Sequence, residues 1–373
     1  MRRSTRCALL FALAVFSSSG LTSAQEVGKH KTQNILFVMT DGLRWQEVFR
    51  GAELDLLEKS STDADAVAAL KKKYWRETPE ERRQILMPFF WAVIAGHGQI
   101  YGNRDKGSDA HVTNKLNFSY PGYSETLCGF ADPRINSNDK IPNPNVTVLE
   151  WLAKKPAYKN RVAAFAAWDV FPSILNEERA GLTINAGYDP FPDLEGNARI
   201  ELLNTLKKEI PHYWDEEPFD ALPFHTALEY LKGRKPRILF LSLGETDDWA
   251  HGSNYLQYLD AAHRADEFLR ILWDAVQSMP QYRGRTTLVF STDHGRGMSA
   301  TTWNDHGEEI PESKYIWMAF LGPDTAAFGE RTKVSAVTQN QIAATTAAFL
   351  GEDYIHGVRQ AGPPIVDVLA TQH

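Results

Sequence analysis

One pattern in this chain restricts its fold more than any other: short apolar runs end abruptly in acidic or imidazole residues, and a helical pattern follows. Residues 34–40 (NILFVMT) lead into Asp41-Gly42, residues 237–243 lead to Asp247 and His251, and residues 286–291 lead to Asp293-His294. Apolar runs this short, bounded by turn residues, read as strands buried on both faces, as in a parallel sheet. Residues 161–168 have the same look, and residues 315–321 are a further candidate. Helical patterns occupy residues 146–154, 224–232, 255–278 and 338–350. The alternation predicts an α/β fold with a doubly wound, mostly parallel sheet and helices on both faces.

Two segments fit the alternation poorly. Residues from 51 to about 109 contain Lys71-Lys72-Lys73 and a helix start, Thr78-Pro79-Glu80-Glu81, with proline in the first turn. They are expected to form a helical insertion covering one edge of the site rather than a separate domain. Residues 180–223, rich in Asn, Gly, Pro and aromatics, are expected to form a second excursion.

The N-terminus has the layout of a cleaved export signal. Arg2, Arg3 and Arg6 precede an apolar run over residues 7–16, and small residues end at Ala24. A membrane anchor is the rival reading, but a spanning helix needs about 20 apolar residues. The mature chain is therefore expected to begin near Gln25, to have no transmembrane anchor and to be periplasmic or extracellular. Removing residues 1–24 removes Cys7 and leaves Cys128 without an intramolecular partner. A formal charge of -7 provides no basic surface for a nucleic-acid backbone. A dedicated nucleic-acid partner is not expected, and oligomeric state is not legible.

In open α/β sheets the carboxyl ends of the strands form the ligand crevice, so Asp41, Asp247, His251, Asp293 and His294 are expected to meet there. The spacing Asp-x-x-x-His puts Asp247 and His251 on one face of a helical turn, where both can grip one ion. With His306 they make three protein ligands, the number typical of a catalytic zinc with an open position. Asp41, Asp293 and His294 would hold a second ion. Carboxylate and imidazole donors without thiolate suit zinc, and manganese or another divalent ion is also compatible. Taken singly, an Asp after a strand is more often a turn residue or helix cap. The nucleophile expected beside these ions is Ser119, in a Pro-Gly turn (Phe118-Ser119-Tyr120-Pro121-Gly122), which metal coordination would activate without a histidine base. Ser124 is a rival. Backbone amides at the following helix start would stabilise the attacked oxygen.

Together these residues resemble the alkaline phosphatase superfamily, most closely its nucleotide pyrophosphatase/phosphodiesterase-like branch, over residues 34–306. The resemblance implies one catalytic domain over residues 25–373 and hydrolysis of small phosphate esters through a phosphoserine. It further implies zinc held by Asp247, His251 and His306, a second zinc held by Asp41, Asp293 and His294, and attack by Ser119 bound to the second. The family asparagine that contacts the phosphoryl group has two candidates, Asn136 and Asn138. Tyr123 stands where the family often has His, and where the sulfatase branch, with its Cys/Ser-x-Pro-x-Arg motif, has Arg. Alternatives are a sulfatase-like enzyme, a phosphoglycerate mutase-like phosphotransferase, and a non-catalytic metal-stabilised binding protein.

Overall fold

The computed structural model describes residues 30–192, 194 and 196–369, so the expected export signal lies outside the described residues. Eight strands form the main sheet: β1 (Asn34–Thr40), β2 (Gln99–Tyr101), β4 (Val162–Ala166), β5 (Thr183–Ala186), β6 (Ile238–Leu243), β7 (Thr286–Thr292), β8 (Met318–Leu321) and β9 (Gly329–Glu330). Their order is β5-β4-β6-β1-β7-β8-β2-β9. Only β8 runs against the others. Two further strands, β3 (Ala110–His111) and β10 (Val337–Thr338), pair in a separate parallel ladder. The fold is α/β, with a mixed, mostly parallel sheet.

Strand β1 lies between β6 and β7, with Thr40 level with Leu243 on one side and Thr292 on the other. Its side chains alternate between two cores, which explains why the run is apolar without a break. Leu36 and Val38 join a core with residues of the helices Ala221–Arg234 and Tyr255–Ser278. Ile35, Phe37 and Met39 join the opposite core, built with Ser119–Cys128, Val148–Ala153 and Ile342–Phe349. Burial on both faces specifies register strongly, because a slip by one residue would exchange the two sets.

The two segments outside the expected alternation each contribute a strand. β2 and β5 have three and four residues, too short to show as runs. Before β2, residues 51–98 form helices that pack on Tyr255–Ser278. The helix expected at Thr78-Pro79 begins there, with Pro79 in the first turn, and Thr78 and Glu81 form a capping box. Tyr74 Oη donates to Asp260 at 2.5 Å, and His263 Nδ1 donates to Leu86 O at 2.8 Å. Asp266 accepts from the amides of Phe89 (2.7 Å) and Phe90 (2.8 Å). Among the described residues no helix is long and apolar enough to cross a membrane.

Replacing Asp266 with alanine strands two buried amide protons. It should destabilise the fold by about 2–5 kcal/mol, read as a lower urea midpoint at unchanged slope.

Candidate metal centre

Strands β6, β1 and β7 are adjacent and parallel, so their carboxyl ends share one edge of the sheet. Asp41 follows β1 directly, and its amide donates to Leu243 O at 2.9 Å, which ties the turn to the end of β6. After β6 the chain enters the helix Glu245–His251. The i, i+4 spacing there brings His251 Nε2 to 3.1 Å from Asp247 Oδ2. Strand β7 runs straight into Asp293 and His294, both fully buried. Asp293 Oδ1 accepts from the Gly42 amide at 3.0 Å, leaving Oδ2 turned toward His294 Nε2 at 3.4 Å. His306 arrives on a loop, where its own amide donates to Asp305 Oδ1 at 2.9 Å.

The imidazoles are oriented by their other nitrogens. His294 Nδ1 donates to Gly295 O at 2.8 Å and His306 Nδ1 to Asn117 O at 3.2 Å, so both Nε2 atoms face the centre. Such orienting bonds are usual around metal-ligating histidines. His294 Nε2 lies 3.2 Å from Asp41 Oδ1 and 3.9 Å from Asp247 Oδ1. His306 Nε2 lies 3.0 Å from His251 Nε2 and 3.7 Å from Asp247 Oδ1. All six expected ligands therefore meet at one edge of the sheet.

Two groups offer ligand atoms within 4.8 Å of one another: Asp41, Asp293 and His294, and Asp247, His294 and His306. His294 is common to both, a sharing that the sequence did not suggest. His251, half exposed, is outside the second group but beside it, with Nε2 3.1 Å from Asp247 Oδ2 and 3.0 Å from His306 Nε2.

The electrostatics fit a cation site. Asp41 Oδ1 and Asp293 Oδ2 are buried and accept no hydrogen bond, and Asp247 Oδ1 accepts none of good geometry although the Arg296 guanidinium lies against it. Buried carboxylate oxygens without partners are costly unless paired or bound to metal. Burial, then the neighbouring Asp41 charge, pushes the Asp293 carboxyl well above its usual range. Burial alone would lower the proton affinity of His294, but Asp293 and Asp41 raise its pKa to about 9. Burial, then charge on His294, holds His306 well below the ordinary histidine value and lowers His251. These donors, oriented and short of positive charge, fit divalent metal.

Ser119 opens the helix Ser119–Cys128, with Oγ 3.4 Å from His294 Nε2. A Cβ at Gly122 would run into the Asp293 carbonyl, so glycine is what lets this helix approach the end of β7. The helix start offers fewer free amides than expected. Tyr120 N–H is taken by Asn138 Oδ1 at 3.0 Å, and Pro121 has no amide proton. That bond places Asn138 beside Ser119; both asparagines are exposed, and Asn136 instead lines a small surface pocket with Arg134 and Ser137. Ser124 points away from the centre, with Oγ accepting from Asn143 Nδ2 at 3.2 Å. Tyr123 is buried in the core, and its hydroxyl accepts from Ser242 Oγ at 2.9 Å. Burial pushes the Cys128 thiol up to about 12, which makes it inert.

Sequence reasoning missed Arg296, Asn117 and the buried carboxylates around Glu217. Arg296 stands two residues after His294, and only the spatial meeting with Asp247 distinguishes it. Asn117 is legible neither by type nor by spacing, since it acts through its carbonyl. Glu217 Oε2 is buried without a partner, and burial followed by the charge of Asp248 raises its carboxyl well above the usual range.

No family model and no curated protein sequence matches the chain. Solved structures do. The alkaline phosphatase PafA superposes with a TM-score of 0.58 at 11% identity, covering 92% of this chain and 99% of that one. BT1596, a 2-O GAG sulfatase, superposes at 0.56 with 13% identity over 92% of this chain and 75% of its own. A phosphonate monoester hydrolase from Silicibacter pomeroyi superposes at 0.55 with 12% identity over 92% and 77%. The chain shares its fold with these solved hydrolases.

Proposed function

We propose that this chain is an exported, metal-dependent hydrolase of small phosphate esters that works through a phosphoserine on Ser119. The observation that carries the reading is Ser119 Oγ at 3.4 Å from His294 Nε2, the imidazole common to both ligand groups. Structural likeness to a phosphatase, a sulfatase and a phosphonate monoester hydrolase supports ester hydrolysis as the reaction class. Asp41, Asp293 and His294 would hold one divalent ion and Asp247, His251 and His306 the other, with zinc the best match to the donors. Bound there, the ions would supply Lewis acidity that favours the serine alkoxide and offsets phosphoryl charge.

The chain's own groups account for the rest. Ser119 Oγ attacks phosphorus, the bond from phosphorus to the alcohol oxygen breaks in line, and the alcohol leaves with a proton. Water then cleaves the phosphoserine, releasing phosphate or a phosphate monoester and restoring the hydroxyl. Asn138, whose Oδ1 is occupied by Tyr120 N–H, has its Nδ2 left to donate to a nonbridging oxygen. Transfer of a phosphoryl rather than a sulfuryl group is favoured by Tyr123, which occupies the arginine position of the sulfatase motif and is packed into the core. Residues 1–24 would be removed on export, so N-terminal sequencing of the purified mature protein should begin near Gln25.

A panel of chromogenic phosphate monoester, phosphodiester and sulfate ester, with and without chelator, tests the assignment. A phosphate ester should be hydrolysed, chelation should abolish turnover and added zinc should restore it. Cleavage of none would favour a binding protein, and sulfate preference a sulfatase. Ser119→Ala should eliminate turnover while bound zinc persists; near wild-type turnover would remove Ser119 from the chemistry. In the same assay Asn138→Ala should lower kcat by about 100-fold to 1000-fold, the usual cost of losing one oxyanion donor.

A further inference from the structure

Arg296 is fully buried and makes bonds to the segments that carry Asp41, Asp247 and His306. It stands two residues after His294. Its Nε donates to Gly42 O at 3.1 Å, next to Asp41, and Nη1 donates to Asn304 O at 2.8 Å, two residues before His306. Its Nη2 donates to Asp247 O at 3.3 Å and forms an ion pair with Asp247 Oδ1. Gly42 makes room for this arrangement. A Cβ there would lie 2.8 Å from Arg296 Nε and Nη2 and 2.9 Å from Asp247 Oδ1, and its φ of +57° is itself one that favours glycine.

We infer that Arg296 is a positioning residue for the metal centre, acting through Asp247: it holds that carboxylate, and the three loops around it, where Asp247, His251 and His306 can receive one divalent cation. The inference rests on the metal-dependent reading above. A planar guanidinium with five donors in a fixed fork can reach three carbonyls and a carboxylate at once. A lysine carries the same charge on one flexible nitrogen and cannot. Arg296 therefore contributes geometry rather than charge, since a positive charge beside a cation site taken alone weakens cation binding. Arg44 provides a contrast. It is equally buried and donates to Gly297 O at 3.0 Å, but it pairs with Glu47, away from the expected ligands.

The test is zinc titration of the chelator-stripped mature protein against a chromophoric competitor. Wild type should take up two ions. Arg296→Lys and Arg296→Met should each weaken one of the two ions by about 10-fold to 100-fold, as loss of an orienting partner usually does, and leave the other unchanged. Excess zinc should restore turnover to Arg296→Lys. Circular dichroism of each stripped variant separates a lost fold from a lost site, and Arg296→Lys keeps the inference testable if Arg296→Met does not fold. Arg44→Met should lower the thermal midpoint and leave both affinities intact. Two ions bound with wild-type affinity by both Arg296 variants, or full retention of affinity by Arg296→Lys, would overturn the positioning role. Absence of zinc binding by wild type would overturn the metal-dependent reading and this inference together.

Discussion

The crowding of Asp41, Asp247 and Asp293 around His294, His306 and His251 at one edge of the sheet is the constraint on which the remaining features depend. Like charges taken out of water raise the energy of the fold unless a cation offsets them. The proteins that tolerate such crowding have a use for it. Here the residues responsible lie at or just beyond the ends of the longest strands, each buried along its whole length, where a misplaced side chain would be hard to accommodate. The folded chain therefore concentrates negative charge where it cannot relax, and the proposed divalent metal would offset it.

That rigidity comes from the sheet. β1 is hydrogen-bonded on both sides and packed on both faces, so the positions of Asp41, Gly244 and Asp293 follow from one register. The helices on the two faces then have separate tasks. On one side, Tyr255–Ser278 and the helices before β2 form a packed wall, joined by the Asp266 carboxylate. On the other, Ser119–Cys128 slides close enough to the end of β7 for its first side chain to reach His294.

Much of this was legible in the sequence because buried parallel strands leave an unbroken apolar signature and the ligand types recur after them. β1, β6 and β7 were readable for that reason, and with them Asp41, Asp247, His251, Asp293 and His294. β2 and β5 were not, because three or four residues at or near a sheet edge carry no period. The choice between Asn136 and Asn138 depends on one hydrogen bond from Tyr120, and spacing does not encode it. Arg296 was invisible for a different reason. Its partners are mostly backbone carbonyls, and a carbonyl leaves no trace in residue identity.

The two serines of one helix show how little of a side chain's place relative to the candidate centre lies in its residue type. Ser119 and Ser124 are five positions apart and both buried, and they flank the same turn, Ser119 just before Tyr120-Pro121-Gly122 and Ser124 just after it. What separates them is the helix axis. A position at the first turn projects beyond the sheet edge, toward His294, while a position in the second turn faces the neighbouring Asn143 and Cys128. Phe118 in extended backbone before the helix and Gly122 against Asp293 fix that axis. The serine that reaches His294 is thus selected by where the helix begins, and Gly122 lets that helix begin against the end of β7.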